Sequence, residues 1–154
     1  MKPGTFTQIY IQLVFSPKHR DRLLIQQIRP RIFEYLSGII TNLGHKSIII
    51  NGVSDHVHLF LGLNTKISVS ETVKELKRGS SIFINEQRFF SGKFEWQEGY
   101  GGFSYGRSQI ENVYEYIKNQ EKHHQKRTFR EEYLAFLKKY EIDFEEQYLF
   151  EFFE

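Results

Sequence analysis

The amino-acid sequence predicts an α+β fold of the split β-α-β kind, and three observations carry that prediction. Residues 5–15 and 55–63 have the β-branched and aromatic mix of strands. Apolar residues recur at helical spacing over 28–43 and again from Ser68. The elements then run strand, helix, strand, strand, helix, strand, helix. The first six match the ferredoxin-like (RRM-like) pattern, one antiparallel sheet with helices on one face, to which C-terminal helices are added. At 154 residues, with 40% hydrophobic and 26% charged, the chain is expected to form one domain, residues 1–154.

The first strand is marked by Phe6, Ile9, Ile11, Leu13 and Phe15. Ser16-Pro17 ends it before the charged loop Lys18-His19-Arg20-Asp21-Arg22. Ile28, Ile32, Tyr35, Leu36, Ile39, Ile40 and Leu43 define a helix that Gly44 is placed to stop. Residues 46–50 read as a strand, Asn51-Gly52 as a turn, and 55–63 as its antiparallel partner. Ser68-x-x-Glu71 has the spacing of a helix-opening capping box, and Val69, Val73, Leu76 and Phe83 form the apolar face. Short strands are expected at 94–97 and 103–105, around Gly99, Gly101 and Gly102. A third helix is expected from Ser108 to about His124. Thr128-x-x-Glu131 opens a fourth, through Tyr140. The tail, 141–154, mixes acids with Phe144, Tyr148, Leu149, Phe150, Phe152 and Phe153, aromatics expected to dock on the domain or on a second subunit.

The net charge of +2 hides an uneven distribution. Residues 1–140 carry 21 basic and 13 acidic side chains, a net of +8, while 141–154 carry six acidic and none basic. A basic body suits a polyanion, and 9 tyrosines with 15 phenylalanines offer rings for stacking on bases. A solvated basic surface over an aromatic core accounts for the same numbers. The chain has no cysteine, which excludes disulfides, thiolate zinc sites and cysteine nucleophiles. No apolar run approaches the ~20 residues of a membrane span. Met1-Lys2-Pro3-Gly4 lacks the apolar stretch of a signal peptide, so a cytoplasmic protein is expected. No Walker-type Gly-x-x-x-x-Gly-Lys-Ser/Thr and no Gly-x-Ser-x-Gly is present.

Two patterns bear on chemistry. In His56-Val57-His58, strand alternation places both imidazoles on one face with Phe60, and Val57, Leu59 and Leu61 on the other. The histidines are then spaced to share one metal ion, on a face the two helices leave open, or they are two exposed strand residues. In Tyr116-Ile117-Lys118-Asn119-Gln120, the tyrosine and glutamine lie about 40° apart around a helix, beside the apolar stripe of Ile110, Val113 and Ile117. They present a phenol and a carboxamide together, or Tyr116 packs at the stripe's edge. Tyr114 projects about 160° from Tyr116 and reads as a packing residue. Lys74, Lys77, Arg78, Lys126 and Arg127 are the candidate phosphate contacts. His123 and His124, beside Lys122, are helix-end cations or a phosphate site.

Together these segments resemble the single-tyrosine HUH transposases of the insertion-sequence-200 type. The resemblance rests on Ser54-Asp55-His56-Val57-His58-Leu59, on the helix from Ser68 through Asn85 with Leu76-Lys77-Arg78-Gly79-Ser80-Ser81, on Trp96-Gln97-Glu98-Gly99-Tyr100-Gly101-Gly102-Phe103-Ser104, and on Tyr116-Ile117-Lys118-Asn119-Gln120-Glu121-Lys122-His123-His124. It reaches from Leu13 to about Phe150. The resemblance implies a small homodimer that cuts and rejoins single-stranded DNA at element ends marked by hairpins. It assigns Tyr116 as nucleophile, and His56, His58 and Gln120 as ligands of a divalent metal, Mg or Mn. Two imidazoles and a carboxamide by themselves suit Mn better than Mg, which prefers oxygen. Two other readings are compatible with the chain: a domesticated relative that processes host repeats by the same chemistry, and a non-catalytic RRM-like nucleic-acid-binding module. The latter lacks its Lys/Arg-Gly-Phe/Tyr-Gly/Ala-Phe signature.

Overall fold

A computed structural model describes residues 3–153; Met1, Lys2 and Glu154, the outer ends of the amino-terminal and tail readings, lie outside the described residues. Strands β1 (Tyr10–Phe15), β2 (Lys46–Val53), β3 (His56–Gly62) and β4 (Gly101–Tyr105) form one sheet in the order β2-β3-β1-β4. All three pairings are antiparallel. Helices α1 (Arg29–Asn42) and α2 (Val69–Gln87) make the two crossovers. This is the expected α+β, ferredoxin-like arrangement.

Alternation along the strands decides which side each helix takes. Leu13, Phe15, Val57, Leu59 and Leu61 project to one face and are buried with Ile32, Leu36 and Ile40 of α1 and Val73 and Leu76 of α2. Ser68 caps α2 by accepting from the Glu71 amide at 3.1 Å. The opposite face carries His56, His58 and Phe60 of β3, with Gln12 paired to Phe60 and Val14 to His58.

That second face was expected to stay open, and it is covered. Helices α3 (Ile110–Lys118), α4 (Gln120–Lys126) and α5 (Phe129–Lys139) roof it. Phe60 packs with Val113 and Ile117 of α3. Phe103 of β4 stacks on Phe136 and Tyr140 at centroid distances of 5.0 and 5.2 Å. Apolar rings on both faces of the sheet require a second layer of helices.

The turn between β2 and β3 is Ser54-Asp55 rather than Asn51-Gly52. Asn51 stays in β2, and its amide donates to the carbonyls of Ile117 and Lys118 at 3.0 and 3.1 Å, satisfying the end of α3. Gly52 lies where the hairpin backbones cross closely: a Cβ there would stand 2.3 Å from the His56 carbonyl oxygen. Gly52→Ala is therefore expected to destabilise the fold by about 1–3 kcal/mol in chemical denaturation. Gly38→Ala, inside α1 where a Cβ meets nothing within 4 Å, is the contrasting reference and should stabilise by about 0.5–1 kcal/mol.

Other boundaries move for local reasons. The expected strand 94–97 is an extended segment with a single bridge, Pro17 to Trp96. The expected helix from Ser108 to His124 is divided at Asn119, whose backbone leaves helical geometry at φ −97° and ψ 24°. Asn119 bonds back to the Glu115 carbonyl through its side chain at 2.9 Å, the local competition that disfavours asparagine inside helices. The Thr128 and Glu131 side chains cap α5 reciprocally. The tail docks in part. Phe150 and Phe152 pack on Phe129, and the buried Gln97 amide bonds the Glu151 backbone in both directions, at 2.7 and 2.8 Å. Tyr148 and Phe144 remain exposed.

Candidate active site

The two histidines are fully enclosed between the sheet and the second helix layer. His56 and His58 are 1% and 0% exposed, with ring centroids 5.0 Å apart. Asp55, in the tight turn before β3, accepts from His56 Nδ1 at 2.8 Å. The ring of Phe129 stacks on His56 at 4.0 Å and 2°. Behind His58 stands Gln12 of β1, its amide nitrogen 2.8 Å from Nδ1, and the Tyr105 hydroxyl donates to the other end of that amide at 2.7 Å.

The divided third helix brings the other two residues to the same place. The Tyr116 ring lies 6.2 Å from that of His58, edge-on, within the same chain. The Gln120 carbonyl oxygen sits 3.0 Å from His56 Nε2. His123 stacks on Tyr116 at 4.6 Å, and His124 Nε2 is 4.0 Å from Asp55. All four residues assigned by the resemblance to nucleophile and metal thus converge. Tyr114 is exposed, away from them.

A fifth residue of the cluster escaped the sequence reading. Glu132 of α5 is 4% exposed. Its Oε1 lies 3.1 Å from both His56 Nε2 and His58 Nε2. Its Oε2 accepts from Gln120 Nε2 at 3.2 Å and from the Tyr116 hydroxyl. The signal was its position: the buried stripe of α5 is Phe129, Glu132, Tyr133 and Leu137, and a carboxylate on such a stripe needs partners. The neighbouring Glu131 drew notice as a capping residue, which it is.

Charge is tightly balanced here. Burial by itself pushes the Glu132 carboxyl up and the His56 imidazole down. The facing charges win in both cases: Glu132 is held far below the usual carboxylate range by His58 and His56, and His56 is raised to about 9 by Asp55 and Glu132. His58 is lowered, burial outweighing Glu132. Burial, and then Glu132, raises the Tyr116 phenol above its ordinary value, so this tyrosine is held protonated. The donor atoms of His56, His58 and Glu132 lie within 4.8 Å of one another. Nitrogen and oxygen donors so close, on a buried polar cluster, fit a divalent cation.

The phosphate candidates separate into two groups. Arg127 joins Gln12, Tyr105, Asn112 and Lys139 around a cavity of about 380 Å³ that Tyr116 also lines. Lys126 is exposed at the adjoining end of α4. Lys74, Lys77 and Arg78 lie on α2, in the layer across the sheet. There Lys77 donates to the carbonyls of Gln97 and Gly99 at 2.8 and 2.6 Å, and Arg78 pairs with Glu75 at 3.2 Å. The structure brings these three no closer to Tyr116.

Comparison with known proteins gives this cluster its context. Residues 5–120 match the family described as "Transposase IS200 like". The chain belongs to that family. It is a transposase, as the resemblance implied, with the fold expected of one. Among solved structures, this transposase is similar to a candidate transposase from Deinococcus radiodurans R1, with 22% identity, a TM-score of 0.58, and coverage of 78% of this chain and 96% of that one. It is also similar to a REP-associated tyrosine transposase solved bound to a REP hairpin, with 11% identity, a TM-score of 0.59, and coverage of 80% and 74%. No curated protein sequence matches the chain. No helix among the described residues is long and apolar enough to cross a membrane.

Proposed function

We propose that this transposase cuts and rejoins single-stranded DNA at hairpin-marked ends through a 5′-phosphotyrosine on Tyr116. The observation that carries the reading is the convergence of Tyr116, His56, His58 and Gln120 in one buried cluster, beside a cavity lined by Arg127 and Lys139. The solved relative bound to a REP hairpin supports hairpin DNA as the substrate class. It also keeps the processing of host repeats open as the biological setting, since the chemistry is the same.

His56, His58 and Gln120 would hold the divalent metal, Mn or Mg. When bound, the cation polarises the scissile phosphate and offsets charge that develops during transfer. Arg127 and Lys139 hold the strand's phosphates at the mouth of the cavity. Asp55 and Gln12 orient the two imidazoles from behind. Tyr116 loses its proton and its oxygen attacks phosphorus, while the P–O3′ bond breaks and the leaving 3′-oxygen takes a proton. The phosphotyrosine conserves the phosphodiester's energy, so a second 3′-hydroxyl can reverse the step without ATP. A phenol serves strand exchange in this way, where water as nucleophile would waste the bond.

The direct test is to incubate the protein with labelled single-stranded hairpin DNA and Mn²⁺ or Mg²⁺, and to look for a covalent adduct by denaturing electrophoresis. Adduct with the hairpin strand and none with blunt duplex is the expected result; efficient duplex cutting refutes the reading. Arg127→Ala, alone or with Lys126→Ala, is expected to weaken hairpin binding about threefold to tenfold and to lower the salt slope by about one ion per charge removed. Neutralising Lys74 and Arg78 across the sheet should leave the single-turnover rate at saturating DNA unchanged. Homodimer formation, implied by the resemblance, is read from sedimentation.

A further inference from the structure

The family match ends at residue 120, and α5 lies beyond it, at Phe129–Lys139. Yet α5 supplies the most highly connected polar group of the site. The two Glu132 oxygens face different partners. Oε1 meets His56 Nε2 and His58 Nε2, each at 3.1 Å, and Oε2 receives the Tyr116 hydroxyl and the Gln120 amide. We propose that Glu132 is a fourth ligand of the divalent cation through Oε1 and, through Oε2, the positioning residue that aims Tyr116 at the site. The proposal rests on the metal reading given above.

Donor spacing supports it. A six-coordinate ion with bonds of about 2.1 Å sets adjacent donors about 3.0 Å apart. The pairs His56 Nε2 with Gln120 Oε1, His56 Nε2 with Glu132 Oε1, and His58 Nε2 with Glu132 Oε1 stand at 3.0, 3.1 and 3.1 Å. Donor chemistry agrees. With the carboxylate the set becomes two nitrogens and two oxygens, which removes the mismatch between a histidine-rich site and a hard cation. Asp55, the other buried acid of the cluster, is engaged on the far side of His56 at Nδ1, so it orients that ring. Ligation by His58 Nε2 puts the ring proton on Nδ1. The Gln12 amide, which Tyr105 and His58 contact at its two ends, can turn to accept it, because the Tyr105 hydroxyl serves as donor or acceptor alike. One carboxylate thus ties the cation's place to the nucleophile by adjacent oxygens, which keeps the phenol in register with the phosphate.

The experiment is Mn²⁺ binding by the full chain without DNA, followed by electron paramagnetic resonance, in wild type, Glu132→Gln, His58→Ala and Tyr114→Phe. Glu132→Gln should weaken Mn²⁺ binding about tenfold or more, while Tyr114→Phe, at an exposed ring of α3, binds as wild type. Labelling glutamate carboxyls with ¹³C in the wild type should give a ¹³C hyperfine coupling to Mn²⁺ transmitted through the ligating oxygen. That measurement does not depend on any variant folding. In the adduct assay at saturating Mn²⁺, Glu132→Gln should reduce the rate with little change in hairpin affinity. Loss of Mn²⁺ in His58→Ala, with full binding in Glu132→Gln and no ¹³C coupling in the wild type, overturns the proposal and leaves the metal reading standing. A wild type that binds no Mn²⁺ removes both.

Discussion

Tyr116→Phe is expected to abolish the covalent DNA adduct and to lower strand cleavage by at least about 10³-fold, while hairpin binding should stay within about twofold of wild type. The substitution removes one hydroxyl with its hydrogen bond to Glu132 and keeps the ring that packs on His123 and Phe136, so the packing of the helix layer is retained. No other group in the cluster can replace the nucleophile. Tyr114→Phe is the control, since that side chain stands exposed on α3 away from the histidines, and its activity should match wild type. An active Tyr116→Phe with a dead Tyr114→Phe would falsify the assignment. The same variant reports which chain supplies the tyrosine. Tyr116 and His58 meet within one chain, so a mixed dimer of Tyr116→Phe with His58→Ala carries one lesion in every site and should form no adduct. Adduct on the His58→Ala chain would instead require exchange of the helix between subunits.

His58→Ala, and EDTA acting on the wild type, are expected to reduce cleavage by about 10²- to 10³-fold, and His56→Ala should behave alike. Each imidazole supplies a nitrogen that faces the shared polar centre, and each is held by a partner of its own, Asp55 for His56 and Gln12 for His58. Removing either leaves the Glu132 carboxylate buried with less to balance it, so a second effect is expected: lower stability of the metal-free protein. Thermal melts with and without Mn²⁺ separate the two. Wild type should gain stability with Mn²⁺ by mass action, and His58→Ala should not. Gln120→Ala should be milder in rate, because a neutral carboxamide is a weaker ligand than an imidazole. Full cleavage in excess EDTA would remove the metal from the mechanism.

Much of this was legible in the chain. Strand alternation put His56 and His58 on the face opposite Val57, Leu59 and Leu61, and helical spacing predicted Tyr116 and Gln120 on one side, which they keep across the break at Asn119. Both patterns are local, set by periods of two and 3.6 residues, and local periodicity survives in a one-dimensional string. The Ser68 cap and the reciprocal capping box at Thr128 were legible for the same reason. The family resemblance added the roles, because its motifs are contiguous runs.

What the string could not settle was decided by contacts between distant segments. The face expected to be open is roofed, because burying Phe60 and Phe103 required a second layer that strand periodicity does not announce. Asn51 reads as a turn residue by composition, but the unsatisfied carbonyls at the end of α3, 66 positions away, hold it in β2. Glu132 reads as one surface acid beside another. Its role depends on histidines 74 and 76 residues earlier in the chain. Sequence alone therefore determined most of the elements and the fold class, and the resemblance named the four residues of the expected chemistry. Tertiary structure alone determined how they are enclosed and which carboxylate joins them, because a buried charge is recognisable only from the partners that folding brings to it.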